Sequence, residues 1–179
     1  MSRVIRITVL LMLLLTVSTP ASAAGYQGNS FHGSIDGWET GFSPGPNEGR
    51  CPAGTEWMLF SAGVGEAAGY GTFVFEEAHC SRVLTLTPQG AIGKLSAGSM
   101  TLTFDDSGDE LHIAFTGTWR YDGDLATGEG TAKVHQSWTV MGDASTGMFE
   151  GAEGHGAMQG VSSFHRILFE LDGGLILSH

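Results

Sequence analysis

The sequence is poor in basic residues. Only 8 of its 179 residues are lysine or arginine, against 19 aspartates and glutamates, and the formal net charge is −11. The basic residues form no stripe along the chain that would offset this acidity. Because such a surface repels phosphate backbones, the composition argues against nucleic acid as a partner.

The chain also lacks a hydrophobic run long enough to cross a membrane as a helix. Its longest run, residues 7–17, has eleven residues, and Arg3 and Arg6 precede it, whereas a spanning helix needs about 20 apolar residues. Ala21-Ser22-Ala23 follows as a small-residue cleavage site, which completes the pattern of a secretory signal peptide. We predict a signal peptide over residues 1–23, no stable membrane anchor, and secretion to the periplasm or the cell exterior.

Removal of residues 1–23 leaves residues 24–179, a length typical of one domain. This part holds six basic and nineteen acidic residues, a formal net charge of −13. We detect no internal repeat, linker or second domain in it, and predict a single domain over 24–179.

Cysteine is scarce as well. Cys51 and Cys80 are the two cysteines of the chain, and both lie in the part predicted to be exported. Two cysteines in an oxidising compartment usually pair, so we predict a structural disulfide between them. The chain has no His-x-His and no His-Glu-x-x-His motif, and its seven histidines are scattered. The sequence therefore predicts neither a metal site nor a cofactor.

Helical periodicity is almost absent, and short apolar segments alternate with turn residues among 28 glycines. The clearest unit is "SMTLTFDDSGDELHIAFTGTW", residues 99–119. Apolar and polar residues alternate on both sides of the turn residues Asp105 to Gly108, which predicts a β-hairpin with one apolar face. Further strands are expected in segments 30–38, 55–61, 70–80, 82–87, 130–140 and 162–174. Eight or nine such strands are enough to close a barrel.

The glycine-rich stretch "STGMFEGAEGHGAMQG", residues 145–160, raises a choice between a ligand-binding loop and a corner between strands. It contains no lysine or arginine, and Glu150 and Glu153 would repel an anion. No helical pattern follows it, as a phosphate-binding loop would require. We therefore interpret it as strand, tight corner, strand.

Three segments, residues 65–80, 98–119 and 145–156, resemble in order motifs of secreted bacterial proteins with an allene oxide cyclase barrel-like domain. "GEAAGYGTFVFEEAHC" (65–80) is similar to the family's "GxATHLGxFT" region, residues 98–119 to its "GTxTLTAANGDxLxxxYTGT" hairpin, and "STGMFEGAEGHG" to its "GTGRFxGATGSG" stretch. The resemblance implies an eight-stranded antiparallel barrel of the calycin or allene oxide cyclase type, also found in dirigent proteins. Met148 and His155 stand where the family has Arg and Ser. The catalytic residues of plant allene oxide cyclases, which share this barrel, cannot be aligned with this chain.

The alternation of side chains along the predicted strands places two polar residues on an apolar face. Gln136 alternates in step with Val134 and Trp138, and His165 in step with Ile167. An inward polar side chain must be hydrogen-bonded within the core or line a wet cavity. Gln136, Trp138 and His165 are therefore the candidates to line a ligand site, with a packed core as the alternative.

Three functions are consistent with these patterns. The first is a secreted barrel that binds a small apolar molecule. The second, implied by the resemblance, is a cofactor-independent isomerase or cyclase of the allene oxide cyclase or dirigent type. The third is a non-catalytic structural or protein-interaction barrel with a solid core. The sequence leaves the ligand, catalysis and the oligomeric state open.

Overall fold

The computed structural model describes residues 29–45, 49–124, 126–163 and 165–178. Within them the chain forms eight strands: β1 (Asn29–Pro44), β2 (Trp57–Ala67), β3 (Gly71–Thr87), β4 (Gly90–Phe104), β5 (Glu110–Asp124), β6 (Glu129–Val140), β7 (Glu153–Ser163) and β8 (Arg166–Ile176). Each strand pairs antiparallel with the next, and β8 closes onto β1. The predicted closed eight-stranded antiparallel barrel is confirmed. The predicted signal peptide, residues 1–23, lies outside the described residues.

The hairpin predicted over residues 99–119 is confirmed as β4 and β5. Its turn is closed by backbone hydrogen bonds from Phe104 to Asp109 and from Gly108 to Phe104. Gly108 adopts a φ of 73°, which a residue without Cβ reaches at little cost. Leu111, Ile113 and Phe115 point into the barrel, as their alternation predicted.

Several expected strand boundaries differ from those of the structure, and two of the differences change the strand assignment. Segments 70–80 and 82–87 form one continuous strand, β3, whose pairing with β4 shifts register between Ala78 and Cys80 and between Val83 and Thr85. Segment 162–174 contains a chain reversal, because the hydroxyl of Ser163 accepts hydrogen bonds from the backbone N–H groups of His165 and Arg166. Such a serine turn competes locally with the strand ladder.

The barrel interior has two unlike halves. In the half that contains the β2–β3, β4–β5 and β6–β7 connections, aromatic side chains pack with ring centroids 4.9–6.3 Å apart. We call this the filled half; its aromatic members are Phe31, Tyr70, Phe73, Phe104, Trp138 and Phe149. The opposite half is open and is described below.

The glycine-rich stretch is a corner between strands, as interpreted, and it also plugs the barrel. After β6 the chain turns over residues 141–152, with a short 3-10 turn at Gly147–Phe149, before β7 begins at Glu153. Gly147 has a φ of 59°, and a Cβ there would collide with Asp109. The Asp109 carboxylate accepts a hydrogen bond from the Met148 N–H at 3.2 Å. This anchoring directs Phe149, which is completely buried, into the filled half.

The predicted pairing of Cys51 with Cys80 is confirmed, with Cα atoms 5.6 Å apart. The bond fixes an outer loop, residues 49–56, against the outside of β3. Arg50 in this loop donates hydrogen bonds to the Ala78 carbonyl at 3.4 Å and to the Ser99 hydroxyl at 2.7 Å. Ala78 and Cys80, which point outward, are therefore buried. Among the described residues, no helix is long and apolar enough to span a membrane.

Candidate functional site

The open half of the barrel encloses a cavity of about 540 Å³. All eight strands contribute to its wall. Its apolar lining includes Leu59, Leu95, Trp119, Val134 and Phe169. Near the mouth, Phe42 and Leu86 are each 70% exposed. An eight-stranded barrel is just wide enough to hold one small ligand where side chains do not fill it.

Three polar side chains form a row across the inner wall. Glu39 on β1 is the register partner of Ser61 on β2, and Ser61 is the register partner of Glu77 on β3. Because neighbouring strands lie about 4.8 Å apart, the backbones at the two glutamates are separated by about 10 Å. Because the Ser61 side chain is small, it leaves a recess at the middle of the row, between the carboxylates of Glu39 and Glu77. All three residues line the cavity.

His79 and Gln136 extend this polar region, which we call the polar cluster (Glu39, Ser61, Glu77, His79 and Gln136). His79 is two residues beyond Glu77 on β3, and its Nδ1 lies 3.5 Å from Oε1 of Glu77 without the geometry of a hydrogen bond. Gln136 reaches the cavity from β6, across the barrel. The cluster therefore combines acidic, basic and amide groups inside an apolar wall.

The polar cluster is not satisfied by its protein neighbours. Among the described residues, the buried side-chain atoms without a hydrogen-bond partner are Ser61 Oγ, Glu77 Oε2, His79 Nδ1 and Gln136 Oε1. All four belong to residues that line the cavity. Leaving a buried polar group unpaired costs about 1–3 kcal/mol. The hydrogen bonds of these atoms must therefore come from the contents of the cavity, solvent or ligand.

Burial raises the pKa of the Glu39 carboxyl above its ordinary value of 4.5. The nearby His79 acts in the opposite direction, and the charge of Glu77 adds to the increase. At the mouth, burial also raises the pKa of Tyr121, with further contributions from Asp124 and Glu129. Burial is thus the main reason why the ionised forms of these two groups are disfavoured, and neighbouring acidic groups add to it.

We expect Glu39→Gln to stabilise the protein at neutral pH. The folded state holds the Glu39 proton more tightly than the unfolded chain does, because the folded pKa is raised. The resulting stability is present below pH 4.5, the ordinary value, and is lost as the pH rises through the folded pKa. The neutral glutamine avoids this loss. Urea midpoints at neutral pH should be higher for the variant, and equal to wild type well below the ordinary pKa.

Asp36→Asn is the control, for which we expect a change in stability of the opposite sign at neutral pH. Asp36 lies on the outer face of β1, and the hydrogen bond from Arg166 lowers the pKa of its carboxyl. Its stabilising effect is present above the ordinary pKa and is lost as the pH falls, so this variant should be slightly less stable at neutral pH. Equal midpoints for Glu39→Gln and wild type at neutral pH would contradict the burial of the Glu39 charge.

The structure does not bring the three predicted lining residues together. Gln136 lines the cavity. Trp138 lies in the filled half, where its indole N–H donates to the Ala157 carbonyl at 3.0 Å and its ring occupies the space above Gly156 and Gly173. The expectation that His165 shares the apolar face of the last strand is wrong. His165 is exposed in the turn before β8, because that strand begins at Arg166.

Sequence reasoning missed Glu39, Glu77 and His79. The signal for the last two was present, because Phe73 and Phe75 share a face and the same alternation continues through Glu77 and His79. Both residues lie within the segment expected as a strand, 70–80, but as polar side chains they look like ordinary surface residues in the sequence. Glu39 lies beyond the end expected for β1, beside a register shift between Glu39 and Gly41.

The described residues contain no group of three or more His, Cys, Asp or Glu side chains arranged to hold a metal ion. No protein-family model, curated protein or solved structure matches the chain. The likeness to allene oxide cyclase barrel-like proteins therefore stays a prediction from the motifs.

Proposed function

We propose that this protein is an exported barrel that binds one small hydrophobic molecule in its open half. The observation that carries the proposal is the cavity of about 540 Å³ at one end of an otherwise closely packed barrel. This volume lies within the range of sites for small organic ligands, about 300–1,000 Å³. A few convergent polar groups in a largely apolar lining are also typical of such sites.

The two halves of the barrel interior differ in a way that supports the proposal, with one half stabilising the fold and the other binding the ligand. The filled half supplies the apolar burial that stabilises the fold, through residues such as Phe104 and Phe149. The cavity instead keeps large side chains at its wall, with Trp57 36% exposed and Trp119 partly buried. The Trp119 indole N–H donates to Ser81 at 2.9 Å, which fixes the ring against the wall. A fixed wall reduces the ordering cost of binding.

We expect Ala132→Trp to weaken ligand binding strongly. Ala132 lines the cavity from β6, and an indole at this position would occupy much of the space available to a ligand. N-phenylnaphthylamine, a neutral fluorescent probe, should bind the wild-type protein with increased emission. The variant should bind at least about tenfold more weakly, a loss of about 1.4 kcal/mol. Titration of probe fluorescence measures both affinities.

Lys133→Trp is the matched control, because Lys133 is the next residue of β6 and points away from the cavity. It introduces the same side chain on the outer face and should leave probe affinity unchanged. Equal losses in the two variants would assign the effect to general disturbance of β6. Absence of probe binding to the folded wild-type protein would overturn the proposal.

A second candidate, a cofactor-independent isomerase or cyclase, is favoured by the polar cluster. Two carboxylates and an imidazole within one apolar cavity are the groups that general acid–base catalysis uses.

The test begins with compounds extracted from the protein purified from its source, detected by native mass spectrometry. Each compound is then incubated with the wild type and with His79→Gln. Conversion by the wild type, lost in a variant that still binds the compound, is expected for an enzyme. Return of every compound unchanged by the wild type would leave binding as the function.

A further inference from the structure

The cavity contains two acidic side chains and no lysine or arginine among its described lining residues. The lining therefore sets two carboxyl groups against a single imidazole, that of His79, and each ionised carboxylate adds negative charge to it. Its other polar lining residues, such as Ser61 and Gln136, carry no charge. Such a charge is costly next to apolar walls, where the effective dielectric is lower than in water. Protonation of a carboxylate or binding of a cation lowers this cost.

The unpartnered atoms point to the same chemistry. Glu77 is 6% exposed and Gln136 is 5% exposed, and each has one side-chain oxygen without a protein donor. A carboxylate and an amide oxygen accept hydrogen bonds and do not donate them. The complementary ligand group is therefore a donor, and a protonated amine supplies up to three N–H donors together with a positive charge.

The row formed by Glu39, Ser61 and Glu77 gives this group a position. The two carboxylates flank the small Ser61 side chain, whose hydroxyl is also unpartnered. A cation above Ser61 is within reach of both carboxylates, whereas an anion there is repelled by both. Trp119 and Tyr121 on β5 supply aromatic surface in the same cavity, which attracts cations as well as apolar groups.

We propose that the cavity binds a hydrophobic organic cation, a protonated amine on an apolar body, with the ammonium group between Glu39 and Glu77 above Ser61. The inference rests on the proposed ligand-binding function and deepens it by naming the class of ligand. A neutral alcohol pairs with the acceptors but leaves the charges uncompensated. A carboxylic acid adds a like charge.

The test compares three naphthalene probes that differ in one substituent: aminomethyl, hydroxymethyl or carboxyl. Calorimetric titration of the disulfide-bonded protein at neutral pH gives each affinity. We expect the amine to bind at least about tenfold more tightly than the alcohol, which corresponds to about 1.4 kcal/mol, and the acid to bind most weakly. An alcohol equal to the amine, or an acid tighter than either, would overturn the inference.

Glu77→Gln should reduce amine affinity to about that of the alcohol and leave alcohol affinity unchanged. Glu76→Gln is the matched control, because Glu76 is the preceding residue on β3 and its side chain is exposed on the outer face. It should alter neither affinity. An equal loss of amine affinity in both variants would contradict a direct role for Glu77. If Glu77→Gln does not fold, the ranking of the three probes on the wild type decides the question.

Failure of this inference is distinguishable from failure of the proposed function. Binding of neutral N-phenylnaphthylamine without preference for the amine would preserve the ligand-binding function and reject the cation. Absence of binding by the fluorescent probe and by all three naphthalene probes would reject both.

Discussion

Replacing Phe149 with alanine is expected to lower the free energy of unfolding by about 3–5 kcal/mol, the cost of removing a fully buried aromatic side chain from a packed core. Phe149 is completely buried. Its ring centroid lies 4.9 Å from that of Phe104 and 5.7 Å from that of Tyr70. Since single domains are stable by about 5–15 kcal/mol, the loss is a large part of the total. Equilibrium urea unfolding, followed by tryptophan fluorescence, measures it.

Met148→Ala is the control, because Met148 is the adjacent residue of the same 3-10 turn and is 47% exposed. We expect its unfolding free energy to stay within about 0.5 kcal/mol of wild type, as for most surface substitutions. Similar values for the two variants would mean that the corner covers the barrel without supporting its core. The predicted contrast would show that the glycine-rich stretch serves the architecture through one side chain.

The strand content and the hairpin could be predicted because their signals are local. Alternation through Leu102, Phe104, Leu111 and Ile113 decides which side chains are buried whatever the rest of the barrel does. The disulfide was equally predictable, because the chain holds two cysteines in the part predicted to be exported, and each has the other as its possible partner. These features need no knowledge of which strands become neighbours.

The cavity could not be predicted because it depends on what each inward side chain meets across the barrel. Trp119 and Trp138 both point inward from neighbouring strands, yet Trp119 lines the cavity and Trp138 fills the core. The difference is their position along the barrel. Trp138 packs above Gly156 and Gly173, glycines of two other strands, and sequence alternation does not reveal that proximity.

The polar cluster was hidden for a related reason. Glu39, Ser61 and Glu77 come from three strands and become a row only through the register of β1 with β2 and of β2 with β3. A register shift by one residue would turn each of these side chains to the opposite face. The site is therefore a property of strand pairing, and its acidic residues look like ordinary surface residues in the sequence.

Removing the disulfide by the double substitution Cys51→Ser and Cys80→Ser should destabilise the protein by about 3 kcal/mol, from the greater freedom of the unfolded chain. The bridge closes a segment with a sequence separation of 29 residues. Urea unfolding of the wild type with and without a reductant should reproduce this loss, while the double variant should not respond to the reductant.

The bridge also fixes the outer loop over the back of β3, where Cys80 lies between the cavity residues His79 and Ser81. We therefore expect the folded double variant to bind N-phenylnaphthylamine more weakly than wild type. Unchanged probe affinity, together with the loss of stability, would assign the bridge to the fold alone.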